Sequence, residues 1–128
     1  MKHLHIILTA AMLGIVLCSN AQKQFRLVNG NGMEAVISDY GARLVSLTAH
    51  NWKGRLEPVI KGYADKGGYL KDRALGATII CFGKENAETL SGKTWELVSS
   101  DNQSVSLRYV TAEGENGLDG KLNVVYYT

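Results

Sequence analysis

The sequence predicts an all-β chain, a partial β-sandwich made of short strands. Three observations predict it. Beyond residue 21 no apolar stripe recurs at the spacing of about 3.6 residues that a helix face requires. Short runs of β-branched and aromatic residues alternate with clusters of Gly, Asn and Asp, residues that tolerate tight turns. The runs number about seven or eight, which suits a sandwich or an open, twisted sheet.

The first strand is expected over Phe25 to Asn29, and Asn29-Gly30-Asn31-Gly32 turns the chain, because Asn and Gly accept positive φ. Met33 to Ser38 resumes, with Met33, Ala35 and Ile37 on one face. After the turn Asp39-Tyr40-Gly41-Ala42, Arg43 to Ala49 forms a strand in which Val45 and Leu47 share a face. Asn51 to Arg55 is a second hairpin turn, and Pro58 marks Leu56 to Ile60 as an edge or irregular strand, because proline cannot donate to a ladder. Lys61 to Arg73, with its glycines and charges, reads as a loop that can hold one helical turn. The continuous apolar run Leu75 to Phe82 predicts a strand buried on both sides. Thr94 to Ser99 is expected to place Trp95 and Leu97 on one face. Val105 to Val110 is expected to turn Val105, Leu107 and Tyr109 inward and Ser106 and Arg108 outward. An acidic loop, Glu113 to Gly120, precedes a last strand from Leu122 to Tyr127, which is read as cut short before its hairpin partner.

Residues 1–21 have the pattern of an export signal. Lys2 supplies the positive start, Ile6 to Leu17 the apolar run, and Ser19-Asn20-Ala21 the small residues of a cleavage site before Gln22. That run of about 12 residues is shorter than the roughly 20 of a membrane-spanning helix, so no transmembrane span is expected. The mature domain is then residues 22–128, exported to the periplasm or the exterior. A lipid anchor on Cys18 is the alternative, disfavoured by the large Leu17 before it.

The formal net charge is +2 and no basic cluster stands out, which gives no support for nucleic-acid binding. Beyond residue 21 only His50 and Cys81 remain of the histidines and cysteines, so neither an internal disulfide nor a His/Cys metal site is expected. Without a partner placed by local spacing, His50 reads as an exposed turn residue and Cys81 as a small buried hydrophobe. The paired carboxylates Glu85/Glu88 and Glu113/Glu115 read as solvated loops. Trp52, Trp95 and the six tyrosines can stack on a sugar ring, but in a small β domain most belong to the core or to cross-strand pairs.

Several segments resemble one family in order. Gly32 to Leu47, around Ser38-Asp39-Tyr40-Gly41-Ala42-Arg43, is similar to the opening of the aldose 1-epimerases, the galactose mutarotases. Val59-Ile60-Lys61-Gly62-Tyr63, Gly76-Ala77-Thr78-Ile79 and Glu113 to Leu122 resemble later family segments. The resemblance implies a fragment of a mutarotase-like supersandwich and, as the family reaction, interconversion of the α and β anomers of aldoses such as glucose or galactose, with no cofactor.

The same resemblance implies losses. Where the family has an arginine after its buried run, this chain has Glu85, between Lys84 and Asn86. A carboxylate accepts hydroxyl groups but cannot donate as a guanidinium does. The family's later sugar-facing histidine has no counterpart between Glu88 and Trp95, and its acid and base lie beyond Thr128. No residue of this chain is therefore assigned a catalytic role, and the chain is expected to be inactive as it stands. The alternative reading is a carbohydrate-binding or protein-interaction module, with self-association through unpaired strand edges.

Overall fold

The computed structural model describes residues 22–80, 89–115 and 120–128. The expected signal segment with Cys18, the pair Glu85/Glu88, and Cys81, Lys84, Asn86 and residues 116–119 lie outside the described residues. Two antiparallel sheets form the described fold. One contains β1 (Gln24–Val28), β2 (Glu34–Ser38), β3 (Arg43–His50) and β4 (Leu56–Pro58), in that order. The other contains β5 (Glu96–Ser100), β6 (Val105–Val110) and β7 (Asn123–Tyr127), also in sequence order. A short helix α1 (Lys66–Lys71) and a 3-10 turn (Thr89–Gly92) lie between them in the chain. The expected partial β-sandwich is what forms.

The first sheet is a meander because each turn has the residues it needs. In the β1–β2 turn Asn29 Oδ1 accepts the N–H groups of Asn31 and Met33, and in the β3–β4 turn Asn51 Oδ1 accepts those of Lys53 and Arg55. Pro58 pairs with Thr48 on the edge strand β4, where a missing N–H costs no ladder bond. Asp65 caps α1 by accepting the Gly68 N–H at 3.3 Å.

The core lies between the sheets. Leu27, Ile37 and Ala42 from the first half meet Leu90, Trp95, Val105 and Leu107 from the second. Burying each large apolar side chain contributes about 1.5–3 kcal/mol. The sheets are also joined through backbone. Val28 N–H donates to Asn102 O at 2.8 Å, Trp95 N–H to Asp39 O at 2.8 Å, and Tyr40 and Thr94 form an isolated bridge. Gly41 holds two distant segments at once: its N–H donates to Lys93 O at 2.7 Å and its carbonyl accepts the Thr78 N–H at 3.0 Å.

Three expectations are corrected. Leu75–Ile80, the described part of the expected doubly buried strand, is not a strand, and Ile79 is 45% exposed. Its backbone bonds go to the turn before β3 and to the start of β3 instead of into a ladder, Thr78 N–H to Gly41 O and Leu44 N–H to Gly76 O, and the Thr78 hydroxyl donates to Ala42 O. Trp95 and Leu97 do not share a fate. The strand expected from Thr94 begins only at Glu96: Trp95 is buried before it, while Leu97 is 42% exposed although it pairs with the buried Leu107. Ser106, expected outward, is buried in β6.

Candidate functional site

A concavity with a mixed polar and aromatic lining lies where the start of β1, the turn before β3, α1 and the entry to β5 meet. It has a volume of about 430 Å³, and Lys23, Phe25, Asp39, Tyr40, Lys66 and Trp95 are among its lining residues. Asp39 is buried at its wall and is fixed by a reciprocal pair: its Oδ1 accepts the Lys23 N–H, and its own N–H donates to Lys23 O, each at 3.0 Å. Burial pushes the Asp39 carboxyl above its ordinary value, more than the hydrogen bond lowers it. The Lys66 ammonium lies 4.6 Å from the Tyr40 ring centroid. Trp95 Nε1–H donates to Leu90 O at 3.3 Å, so the indole is a satisfied core residue that shows one edge to the cleft.

Arg43 stands behind this wall, fully buried, and its role was not visible in the sequence. Nε donates to Tyr40 O, Nη1 to Leu75 O, and Nη2 to Arg73 O and Ser91 O, all at 2.9–3.0 Å. Its guanidinium carbon lies 5.1 Å from the Tyr40 ring centroid and 4.1 Å from that of Tyr69. Desolvation lowers its pKa from the ordinary arginine value. Arg43 thus fixes three loops behind the cleft, and no described carboxylate forms an ion pair with it. The nearest sequence signal was the run Asp39-Tyr40-Gly41-Ala42-Arg43, which read as a turn entering a strand within the segment that resembles a family opening, with no role given to Arg43.

The remaining candidates are dispersed. His50 is at the far end of β3 from Arg43, about 23 Å along an extended strand. It is exposed, as expected, with Nδ1 3.0 Å from Gly54 O and Nε2 2.7 Å from Asn31 O. Trp52 is 89% exposed on the β3–β4 turn, with the Lys53 ammonium 4.7 Å from its ring centroid. Glu113 is exposed, but Glu115 is not the solvated loop carboxylate expected. Its side chain is 13% exposed and accepts from the Tyr109 hydroxyl at 3.0 Å and the Ala112 N–H at 2.8 Å, with Lys93 Nζ at 3.3 Å. Desolvation pushes its carboxyl up, but these three partners together hold it below the ordinary value. Among the described residues no group of three or more His, Cys, Asp and Glu is placed to hold a metal ion. No described helix is long and apolar enough to cross a membrane.

What the cleft offers is a buried acceptor carboxylate, nearby ammonium donors and aromatic surface. Such groups suit a neutral, polyhydroxylated molecule: the carboxylate accepts hydroxyl protons and a ring face packs on C–H groups. Among the described residues the cleft contains no histidine beside a carboxylate.

Residues 23–84 match the family described as aldose 1-epimerase. In three dimensions the chain is similar to the GalM/aldose epimerase homologue from C. elegans, with a TM-score of 0.69 and 22% sequence identity. The likeness covers 84% of this chain and 41% of that one, so the chain spans less than half the length of the similar structure. It shows a β-sandwich of the galactose mutarotase-like kind. No curated protein matches the chain.

Proposed function

We propose that this chain is an aldose 1-epimerase-like β-sandwich that binds an aldose weakly and, as it stands, does not speed the exchange of its anomers. The observation that carries the reading is the aldose 1-epimerase match over residues 23–84, on a chain that folds into the corresponding sheets. Anomer exchange opens and recloses a hemiacetal ring. It needs one group to take the anomeric hydroxyl proton and another to protonate the ring oxygen, each supplying typically about 10²–10⁴-fold. Asp39 is the one buried carboxylate of the cleft, and His50, at the other end of β3, already faces two carbonyls. The inactivity reading rests on that separation and on Glu85 standing where the family has an arginine.

Polarimetry tests it. Freshly dissolved α-D-glucose or α-D-galactose should relax at the buffer rate in the presence of the protein. Acceleration proportional to protein concentration would overturn the reading.

The polar cleft favours a second reading, a carbohydrate-binding module. Chemical shifts of the Trp95 indole and the Lys23 amide that move saturably with galactose, and fail to move in Asp39→Asn, would support it. We read residues 1–21 as an export signal cleaved before Gln22, with lipidation of Cys18 as the alternative. The mass of the exported protein distinguishes the two.

A further inference from the structure

The imidazole of His50 lies between two backbone carbonyls, Gly54 O on the Nδ1 side and Asn31 O on the Nε2 side. A carbonyl oxygen only accepts. Neutral imidazole carries one N–H and can satisfy one of these contacts, whereas imidazolium carries two and satisfies both. The two acceptors belong to different turns at the same end of the four-stranded sheet. Asn31 is in the β1–β2 turn and Gly54 in the β3–β4 turn, each held internally by its own asparagine, Asn29 or Asn51.

We infer that protonated His50 is a clamp joining these two turns, and that losing its proton releases one of them, so this end of the sheet loosens as pH rises through neutrality. The consequence reaches beyond the turns. Asn29 and Met33, which flank Asn31, line an apolar pocket of about 390 Å³ together with Leu27, Ala35 and Leu47. A released β1–β2 turn loosens the rim of that pocket.

The charges on the elements around His50 do not supply the effect. On β1 and β2 these are Arg26 and Glu34, paired with each other. On the β3–β4 hairpin they are Lys53, Arg55 and Glu57, of which Arg55 and Glu57 approach at 3.8 Å and Glu57 also accepts from Asn51 Nδ2. Among the described residues no carboxylate pairs with the imidazole. The bonds to Asn31 O and Gly54 O raise the His50 pKa from its ordinary value. The linked stability is therefore fully present below the unfolded value of about 6.5 and is lost as pH rises through the folded value.

The test is an NMR titration of the full chain, with His50→Gln used to identify the His50 signals. Two amides report on the turns: Gly32 N–H, which donates to Asn29 O, and Gly54 N–H, which donates to Asn51 O. The His50 midpoint should lie above about 6.5, and across it exchange protection should fall at the glycine of the released turn while the other glycine keeps its protection. His50→Gln should show no such step. A midpoint at or below the ordinary value, protection indifferent to the His50 titration, or the same step in His50→Gln would each overturn the clamp.

Discussion

The Arg43 guanidinium carbon lies 4.1 Å from the ring centroid of Tyr69, and both side chains are fully buried. The cation is held by an aromatic face and by four hydrogen bonds to carbonyls. This spreads its charge over neutral acceptors that belong to three separate loops. Lysine has a compact ammonium and cannot span that set. Arg43→Lys should therefore destabilise the fold by about 2–4 kcal/mol, since it leaves buried carbonyls without donors. Urea denaturation measures this, and a loss under about 0.5 kcal/mol would show that the loops do not depend on the fork.

Gly76 and Gly54 both have positive φ, 68° and 73°, but their surroundings differ. A Cβ at Gly76 would lie 2.3 Å from Leu44 O, while at Gly54 it would meet nothing within 4 Å. Gly54→Ala should cost about 1–2 kcal/mol, the left-handed penalty alone. Gly76→Ala should cost clearly more, because the backbone of β3 must move. Equal thermal shifts in the two variants would contradict this account.

The two tryptophans should separate in fluorescence. Trp52 is exposed on a turn and Trp95 is 2% exposed in the core. Iodide should quench the emission lost in Trp52→Phe and leave the rest largely untouched. Trp95→Ala should cost about 3–5 kcal/mol, as for other large core truncations. Trp52→Ala should stay within about 0.5 kcal/mol of the parent.

Glu115 predicts a step in acid stability. Its carboxyl is lowered in the folded state, so the stability it contributes is present above the unfolded value of about 4.3 and is lost as pH falls through the folded value. Glu115→Gln should remove that step and cost about 1 kcal/mol at neutral pH. Melting curves between pH 7 and about pH 3 compare the two proteins. A parallel loss in parent and variant would assign the step to another carboxylate.

Strands with one buried face were legible. Ile37 on β2 and Val45 on β3 are buried as expected, but the two-residue period holds only in part: Ser38 is buried beside Ile37, past a register shift at Val36/Ile37, and Leu47 is no more buried than Ser46. Turns with Asn and Gly at the bend were legible for the same local reason. Leu75–Ile80 was not, because apolar composition does not say where a backbone finds its hydrogen bonds, and here Gly41, Ala42, Arg43 and Leu44 take them. The exposure of Leu97, which pairs with the buried Leu107, is likewise something alternation cannot announce. The cleft was hidden for a related reason. Asp39 looked like a turn residue, and the concavity it lines is shared with Trp95, a partner far along the chain whose N–H donates to Asp39 O.

The two bonds of Gly41 bear on how this chain tolerates change in length. The segment that leaves at Thr78 and returns at Lys93 has both ends fastened to a single residue. Its ends are therefore already closed, and adding residues between Ile80 and Leu90, short of the core side chain of Leu90 and the Ser91 carbonyl that Arg43 holds, changes mainly the loop entropy. Doubling such a loop costs only about 0.6 kcal/mol. Evolution can therefore lengthen this excursion with both sheets left in register, so a difference in length at this point is a poor guide to whether the surrounding sandwich still folds.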